Sequence, residues 1–496
     1  MDRRQFTKLF AAAGLAGGAL PASAWSRVLK APSGARTGPW QAASPMLADS
    51  RLHAAQQAFL DLRFGMYIHL NMATFEEREW GDPKTSPKRF NPKHLDARQW
   101  ARAARSAHMG YGCLTTKHHD GFCLWPTKSG SANVMDSSYP HDIVRQYVEA
   151  FRAEGLEPCL YFSILDLRAD IRPHVITPAK VARIKTQITE LLTHYGPITA
   201  LVIDGWNASW SRIGYDELPF HEIRDLVKRL QPDCLISDYN DGSYPGTALY
   251  YTDVKQYEQH AGQKIPPHSE IPSQSATTLQ KDWFWKKSYP TSTLRDAHQI
   301  VHDWLKPFNR QHCNLILNAA PNRDGLMDDN VLARLAEIGR LWQPSGTVPR
   351  VAPAFEITTP NLAKNQPSHA SSLADASGPD LAFDDDLRSY WQADAGHAPH
   401  WLEVAFPKPT PINTLSVVEA RGLGDYGHAS RIRHYRIEAM IAGRWRPLFA
   451  GGTPQHFEFL RTGNAQVVER LRLHMETDGQ PPGIAEFGAY NEPALR

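Results

Sequence analysis

Cysteine is scarce in this 496-residue chain, with five in all: Cys113, Cys123, Cys159, Cys234 and Cys313. An odd number of thiols with no C-x-x-C spacing excludes a disulfide framework and reads as small buried apolar residues. No apolar run reaches the ~20 residues a helix needs to span a bilayer. Charge of one sign is lacking too: Lys+Arg 54 against Asp+Glu 52 leaves +2, too little to draw nucleic acid or an anionic membrane. What remains is the composition of a globular protein, 42% hydrophobic and 21% charged, long enough for two or three domains. It has one surplus, 14 tryptophans, whose flat apolar faces suit a core or a sugar-binding wall.

Met1 to Ala24 reads MDRRQFTKLFAAAGLAGGALPASA. The pair Arg3-Arg4, a short Ala/Gly/Leu segment and the small-residue run Ala22-Ser23-Ala24 have the layout of a bacterial export signal, with RRQF pointing to the twin-arginine route. A periplasmic or secreted protein is therefore expected. Residues 25–48, rich in Ala, Pro, Ser and Gly, read as a linker.

Over residues 49–345, short β-rich runs alternate with amphipathic helical stretches. The strand candidates are Phe64–Leu70, Tyr111–His118, Pro158–Ile164, Ile198–Asp204, Cys234–Asn240, Ala248–Val254 and Cys313–Asn318, with one more expected near Asp282–Ser288. Eight strands alternating with helices predict a (β/α)8 TIM-like barrel. No glycine-rich loop follows the first strand, which argues against a dinucleotide fold. Over residues 351–496 the runs become short and alternating, with Gly and Pro between them, as in an antiparallel β-sandwich.

In a parallel barrel, catalytic groups collect where strands end. Those ends hold His69, Lys117-His118-His119-Asp120-Gly121, Tyr161, Asp204-Gly205-Trp206 and Asp238. Imidazoles, carboxylates and aromatics on one rim suit a sugar: donors and acceptors for hydroxyls, a flat wall for the C–H face. Neighbouring residues on an extended strand point to opposite sides, so His118 and His119 are not expected to chelate one metal, and no H-x-H or H-E-x-x-H spacing occurs. Asp204, after Ala200-Leu201-Val202-Ile203, reads as a helix cap, a buried ion-pair member or a nucleophile; the last needs a second carboxyl as acid.

The segments Phe64-Gly65-Met66-Tyr67-Ile68-His69, Arg78-Glu79-Trp80, Thr116-Lys117-His118-His119-Asp120-Gly121-Phe122-Cys123-Leu124-Trp125 and Ile203-Asp204-Gly205 resemble the retaining α-L-fucosidases of glycoside hydrolase family 29. The resemblance runs from about Arg63 to Trp342. It implies an enzyme on a (β/α)8 barrel that releases terminal α-linked L-fucose from fucosylated glycans by double displacement, without a catalytic cofactor or metal. By position it makes Asp204 the nucleophile and gives His69, Glu79, Trp80, His118, His119 and Tyr161 to the sugar. The acid/base falls to Glu258, which follows a D-x-x-x-x-E stretch, with Glu270 as the alternative. Trp283 is a candidate stacking wall, and Trp206 a further tryptophan beside the sugar. An arginine that some relatives carry after the fifth strand is replaced here by Ser237-Asp238-Tyr239.

The acidic run Asp384-Asp385-Asp386, with Ser389-Tyr390-Trp391 and Ile484-Ala485-Glu486-Phe487-Gly488-Ala489-Tyr490, resembles discoidin-type (coagulation factor 5/8 C-terminal) modules. These often bind carbohydrate and often hold a structural calcium ion by such an acidic loop; others are spacers. Two further readings stand beside the hydrolase. One is a non-catalytic fucose-binding protein on the same fold, which would have to lack a carboxylate. The other is a barrel metallohydrolase, which the ligand spacing disfavours.

Overall fold

The computed structural model describes residues 50–493, apart from 209, 240–247, 260–262, 267–268, 352–354, 375–376, 397, 421–429 and 455–456. The expected export signal and linker lie outside the described residues. Eight parallel strands close a barrel: β1 Phe64–Ile68, β2 Tyr111–Lys117, β3 Glu157–Ser163, β4 Ala200–Asp204, β5 Leu235–Asp238, β6 Val254–Glu258, β7 Ser273–Thr278 and β8 Cys313–Asn318, with β8 pairing back onto β1. Register brings the functional ends level, with Ser163 opposite Asp204 and Ile203 opposite Asp238.

Helices on the outside bury one stripe each. Ala97–Ser106 is capped by the Asp96 carboxylate, which accepts from Arg98 and Gln99 N–H, and buries Trp100, Ala101 and Ala104. Pro178–His194 starts on Thr177, has proline at its first turn and buries Ile184, Ile188 and Leu191. Such caps contribute about 1 kcal/mol each by satisfying end N–H groups.

Two strand expectations are corrected. Ala248–Tyr250 is not in the barrel; it pairs with Phe355–Ile357 outside it, and the sixth barrel strand begins at Val254. The seventh is Ser273–Thr278, not a segment near 282–288. Both true strands, VKQYE and SQSATT, lack an apolar run, because part of the barrel interior is filled by hydrogen-bonded amides and hydroxyls. Gln274 donates to Gln256 at 3.1 Å, Gln256 to Ser237 at 2.6 Å, and the Tyr111 hydroxyl to Gln274. Buried polar groups are tolerated when they satisfy one another in this way.

The C-terminal region forms a seven-stranded antiparallel sheet over a separate apolar cluster that includes Leu402, Val417, Ile437, Leu473 and Phe487. Its central strands, His400–Glu419 and Phe457–Thr477, are longer than the expected runs because bulges at Ala405/Thr410 and Ile412/Thr414 carry the chain through its proline stretch. Tyr490 packs in the barrel's cluster, its hydroxyl 3.3 Å from that of Tyr250. All five cysteines are buried and free. Among the described residues, no helix is long and apolar enough to cross a membrane.

Candidate active site

Asp204 ends β4, 9% exposed, and its Oδ2 accepts the Tyr161 hydroxyl proton at 2.7 Å. The chain turns at once through Gly205, at φ 125°, where a Cβ would stand 2.8 Å from Ile164 Cγ1. Only glycine takes that turn without displacing the strand beside it. Burial and the Asp204 charge push the Tyr161 phenol well above its usual range, so it remains a donor to the carboxylate.

Three histidines line the pocket. His119 Nδ1 lies 2.7 Å from Ser163 Oγ, and that hydroxyl gives its own hydrogen to the Leu165 carbonyl at 2.9 Å. The ring nitrogen must therefore donate, which leaves Nε2 as an acceptor, 3.9 Å from Asp204 Oδ2. The same logic fixes His69: Asn318 donates its amide hydrogen to the Trp283 carbonyl at 2.8 Å and turns Oδ1 to His69 Nδ1 at 2.7 Å. His118 Nδ1 is buried without a hydrogen-bond partner among the described residues. Burial pushes His69 and His119 down to about 3, and burial and the neighbouring imidazoles push His118 well below its ordinary value. Neutral imidazole offers one donor and one acceptor, which matches a sugar hydroxyl.

The expectation that His118 and His119 face opposite ways is corrected, since their ring centroids are 4.0 Å apart. β2 ends at Lys117, and residues 118–121 form a turn closed by Gly121 N–H on the His118 carbonyl at 3.0 Å, so strand alternation no longer applies. Lys117 itself points away, fully buried against Asp166 at 3.3 Å and Gln187 at 3.0 Å, and anchors the turn from behind.

The walls come from other loops. Trp283 tilts over His69 with centroids 4.9 Å apart, and its backbone N–H donates to Glu79 at 3.1 Å. Burial raises the Glu79 carboxyl above its ordinary value, while Lys286 stands 3.7 Å away. Trp80 lies 4.6 Å from the His119 ring. Trp206 is not a pocket wall: it is fully buried, its indole N–H donating to the Leu218 carbonyl at 2.8 Å. Three residues that the sequence did not single out join the site. Phe284 meets His69 and His118 edge-on, at 5.2 and 4.9 Å, and was hidden between two more conspicuous tryptophans. Trp210 lies 4.3 Å from His119 on the loop after β4. Tyr239 follows the end of β5, where burial and the charges of Glu258 and Asp204 push its phenol up.

Glu258 is the last residue of β6, on the same rim as Asp204. Its charge acts on Tyr239 and on Tyr161, the phenol that holds Asp204. Glu270 is exposed and precedes β7, and its neighbour Ser269 binds His312, which precedes β8. In a parallel barrel, strand starts lie at the end opposite the pocket. The structure thus brings Asp204, Glu258 and the seven expected sugar-side residues to one rim, and leaves Glu270 at the other.

No three His, Cys, Asp or Glu side chains among the described residues are grouped to hold a metal ion. The acidic loop of the sandwich shows no convergent set: Ser389 donates to Asp384 at 2.6 Å, Asn361 to Asp385 at 2.8 Å, and Arg388 to Asp386 at 2.6 Å.

The alpha-L-fucosidase family model matches residues 72–346, more than half of the chain. The chain belongs to the alpha-L-fucosidase family, glycoside hydrolase family 29. It is a fucose-releasing glycoside hydrolase. The F5/8 type C domain model matches residues 367–487. Alpha-L-fucosidase 1 of Arabidopsis thaliana is 26% identical over 86% of this chain and 84% of its own length. Tissue alpha-L-fucosidase of Mus musculus is 25% identical over 52% of this chain and 57% of its own. A solved glycoside hydrolase 29 member from an unknown rumen bacterium shares the fold at TM-score 0.51, with 24% identity over 89% of this chain and 77% of that one. Alpha-L-fucosidase isoenzyme 1 from Paenibacillus thiaminolyticus does so at TM-score 0.51, with 22% identity over 86% and 100%.

Proposed function

We propose that this pocket releases terminal α-linked L-fucose from fucosylated oligosaccharides or glycans with retention of configuration, through a covalent intermediate on Asp204. The observation that carries the reading is the pair of carboxyls at the ends of β4 and β6, both acting on Tyr161 and Tyr239. In the first step an Asp204 oxygen bonds to the anomeric carbon as the bond to the leaving oxygen breaks, and the Glu258 carboxylic acid gives its proton to that oxygen. With Asp204 esterified, its charge is gone and Glu258 is free to act as base. Water then attacks the anomeric carbon and gives a proton to Glu258, and the bond to Asp204 breaks. Meanwhile Tyr161 holds Asp204 in place, and His69, His118, His119, Glu79, Trp80 and Trp283 take the hydroxyls and ring. The non-catalytic reading would require a missing carboxylate, and both are present.

Proton NMR of the first-formed sugar from an aryl α-L-fucoside tests this. Retention releases α-L-fucose before mutarotation; β-L-fucose appearing first would exclude a covalent intermediate. Asp204→Ala should lose at least about 10³-fold in kcat while remaining folded.

We further propose, from Met1 to Ala24 alone, export of a bacterial protein by the twin-arginine route. An Arg3→Lys/Arg4→Lys variant exported as well as the wild type would refute it.

A further inference from the structure

Trp80 and Trp210 are the two exposed tryptophans among the described residues, at 36% and 39%. They come from loops after different strands, yet their ring centroids are 5.3 Å apart and their planes cross at 82°. Each also packs against His119, whose Nε2 is 3.9 Å from the nucleophile carboxylate. The open indole corner is therefore at the mouth of the fucose pocket and not on a remote surface.

Described residues on both loops are tied down. Beneath Trp210, the buried Trp206 indole binds the Leu218 carbonyl, Asn207 N–H binds Ile213 at 2.9 Å, and Arg212 N–H binds Ala208 at 2.8 Å. Beside Trp80, Gly81 comes so close to Asp120 that a Cβ would sit 3.2 Å from its side chain. Exposed aromatic faces held in place at the edge of a polar pocket provide contact area at low entropic cost. Two faces at right angles form a floor and a wall, and a pyranose has an apolar C–H face to lay on one of them.

We infer that Trp210, standing against Trp80 at the edge of the fucose site, forms a second subsite that binds the sugar ring next to fucose in the substrate, so that Trp210 sets a preference for oligosaccharides over simple fucosides. This rests on the reading of the pocket as a fucose site. Binding energy from a part of the substrate that does not react appears in kcat/KM only when that part is present.

The experiment compares kcat/KM on α-L-fucosyl fluoride, whose leaving group has no ring, with kcat/KM on 2′-fucosyllactose and 3-fucosyllactose. Trp210→Ala should lose about tenfold or more beyond its loss on the fluoride when assayed on whichever trisaccharide the wild type cleaves, while Trp210→Phe keeps most of the preference. Equal losses on both substrates would overturn the proposal and make the ring a support for His119. No loss on either would also overturn it. If Trp210→Ala does not fold, Trp210→Phe and Trp210→Leu carry the same comparison, and an equal preference in the two would count against the subsite. A wild type inactive on the fluoride would instead remove the fucosidase reading beneath it.

Discussion

At the barrel mouth and at the seam between barrel and sandwich, the fold buries acidic side chains among aromatic rings, but it provides for them differently. At the seam the partners are complete. Asn361 donates to both Asp385 and Glu486, at 2.8 and 3.0 Å, Asp385 N–H donates to Glu486 at 3.0 Å, and Lys364 stands 3.6 Å from Asp385. At the mouth, His118 Nδ1 has no partner among the described residues, and imidazole acceptors at His69 and His119 are aimed into the pocket with their tautomers already set. Buried polar groups in native proteins are nearly always satisfied. Where satisfaction is internal the cluster is structural; where it is left open and held rigid, the missing partner is a ligand.

The comparison breaks hardest at the two glutamates. Glu258→Gln should lower kcat by about 10²–10⁴-fold on a substrate that needs a proton on its leaving group, and much less on fucosyl fluoride, which does not. Glu270→Gln, at the other end of the barrel, should stay within about twofold on both. Steady-state kinetics on the two substrates decides between them, and a collapse in the Glu270 variant would reverse the assignment.

Open partners at the mouth also have a stability signature. Each pocket histidine is neutral in the folded state and titrates near 6.5 when unfolded, so below about pH 6.5 the unfolded chain takes up protons that the folded chain refuses. Stability is therefore lost as pH falls from about 6.5 towards the folded values, about 3 for His69 and His119 and well below the ordinary value for His118. Each histidine costs about 1.4 kcal/mol per pH unit in that window, or about 2 kcal/mol at pH 5. Urea unfolding of His118→Asn between pH 4 and 6 should show a dependence shallower than wild type by about that slope. Parallel curves would mean that His118 is charged in the fold.

How much of this was legible depended on whether a residue advertised itself by hydropathy. β1, β2, β3, β4 and β8 end apolar runs, so His69, His118, His119, Tyr161 and Asp204 could be found at strand ends. β6 and β7 were not legible as strands, since the period-2 signal needs apolar residues, and their interior positions hold Gln256 and Gln274 while the other face of β7 carries Ser273, Ser275 and Thr277. Glu258 was reached only through a family resemblance. Without β7 in place, nothing in the chain order showed that Glu270 falls at the wrong end. The tryptophans show the limit best. Trp206 and Trp210 follow the nucleophile four residues apart, and sequence favoured the first; which indole is buried depends on the Leu218 carbonyl 12 residues on.

The smallest effect tests the closed side of the comparison. Lys364 links the seam to the loop that carries Trp210: its ammonium binds Asp216 at 2.8 Å on the barrel side and lies 3.6 Å from Asp385 on the sandwich side. Burial raises the Asp385 carboxyl and, with the Asp385 and Asp384 charges, lifts Glu486 well above its ordinary value. Acids raised in the fold resist ionising there, so Lys364 matters most where they are forced to ionise. Lys364→Ala should cost about 1–2 kcal/mol at pH 8, less than a fully buried pair because the lysine is partly exposed, and that cost should shrink towards pH 5 as the carboxyls take up protons. This runs opposite to the histidine effect at the mouth, where acid destabilises. Thermal unfolding of wild type and variant at the two pH values reads it; because Lys364 holds the Asp216 carboxyl below its ordinary range, a cost unchanged on acidification would mean that Lys364 acts on Asp216 alone and that the seam is not held by charge.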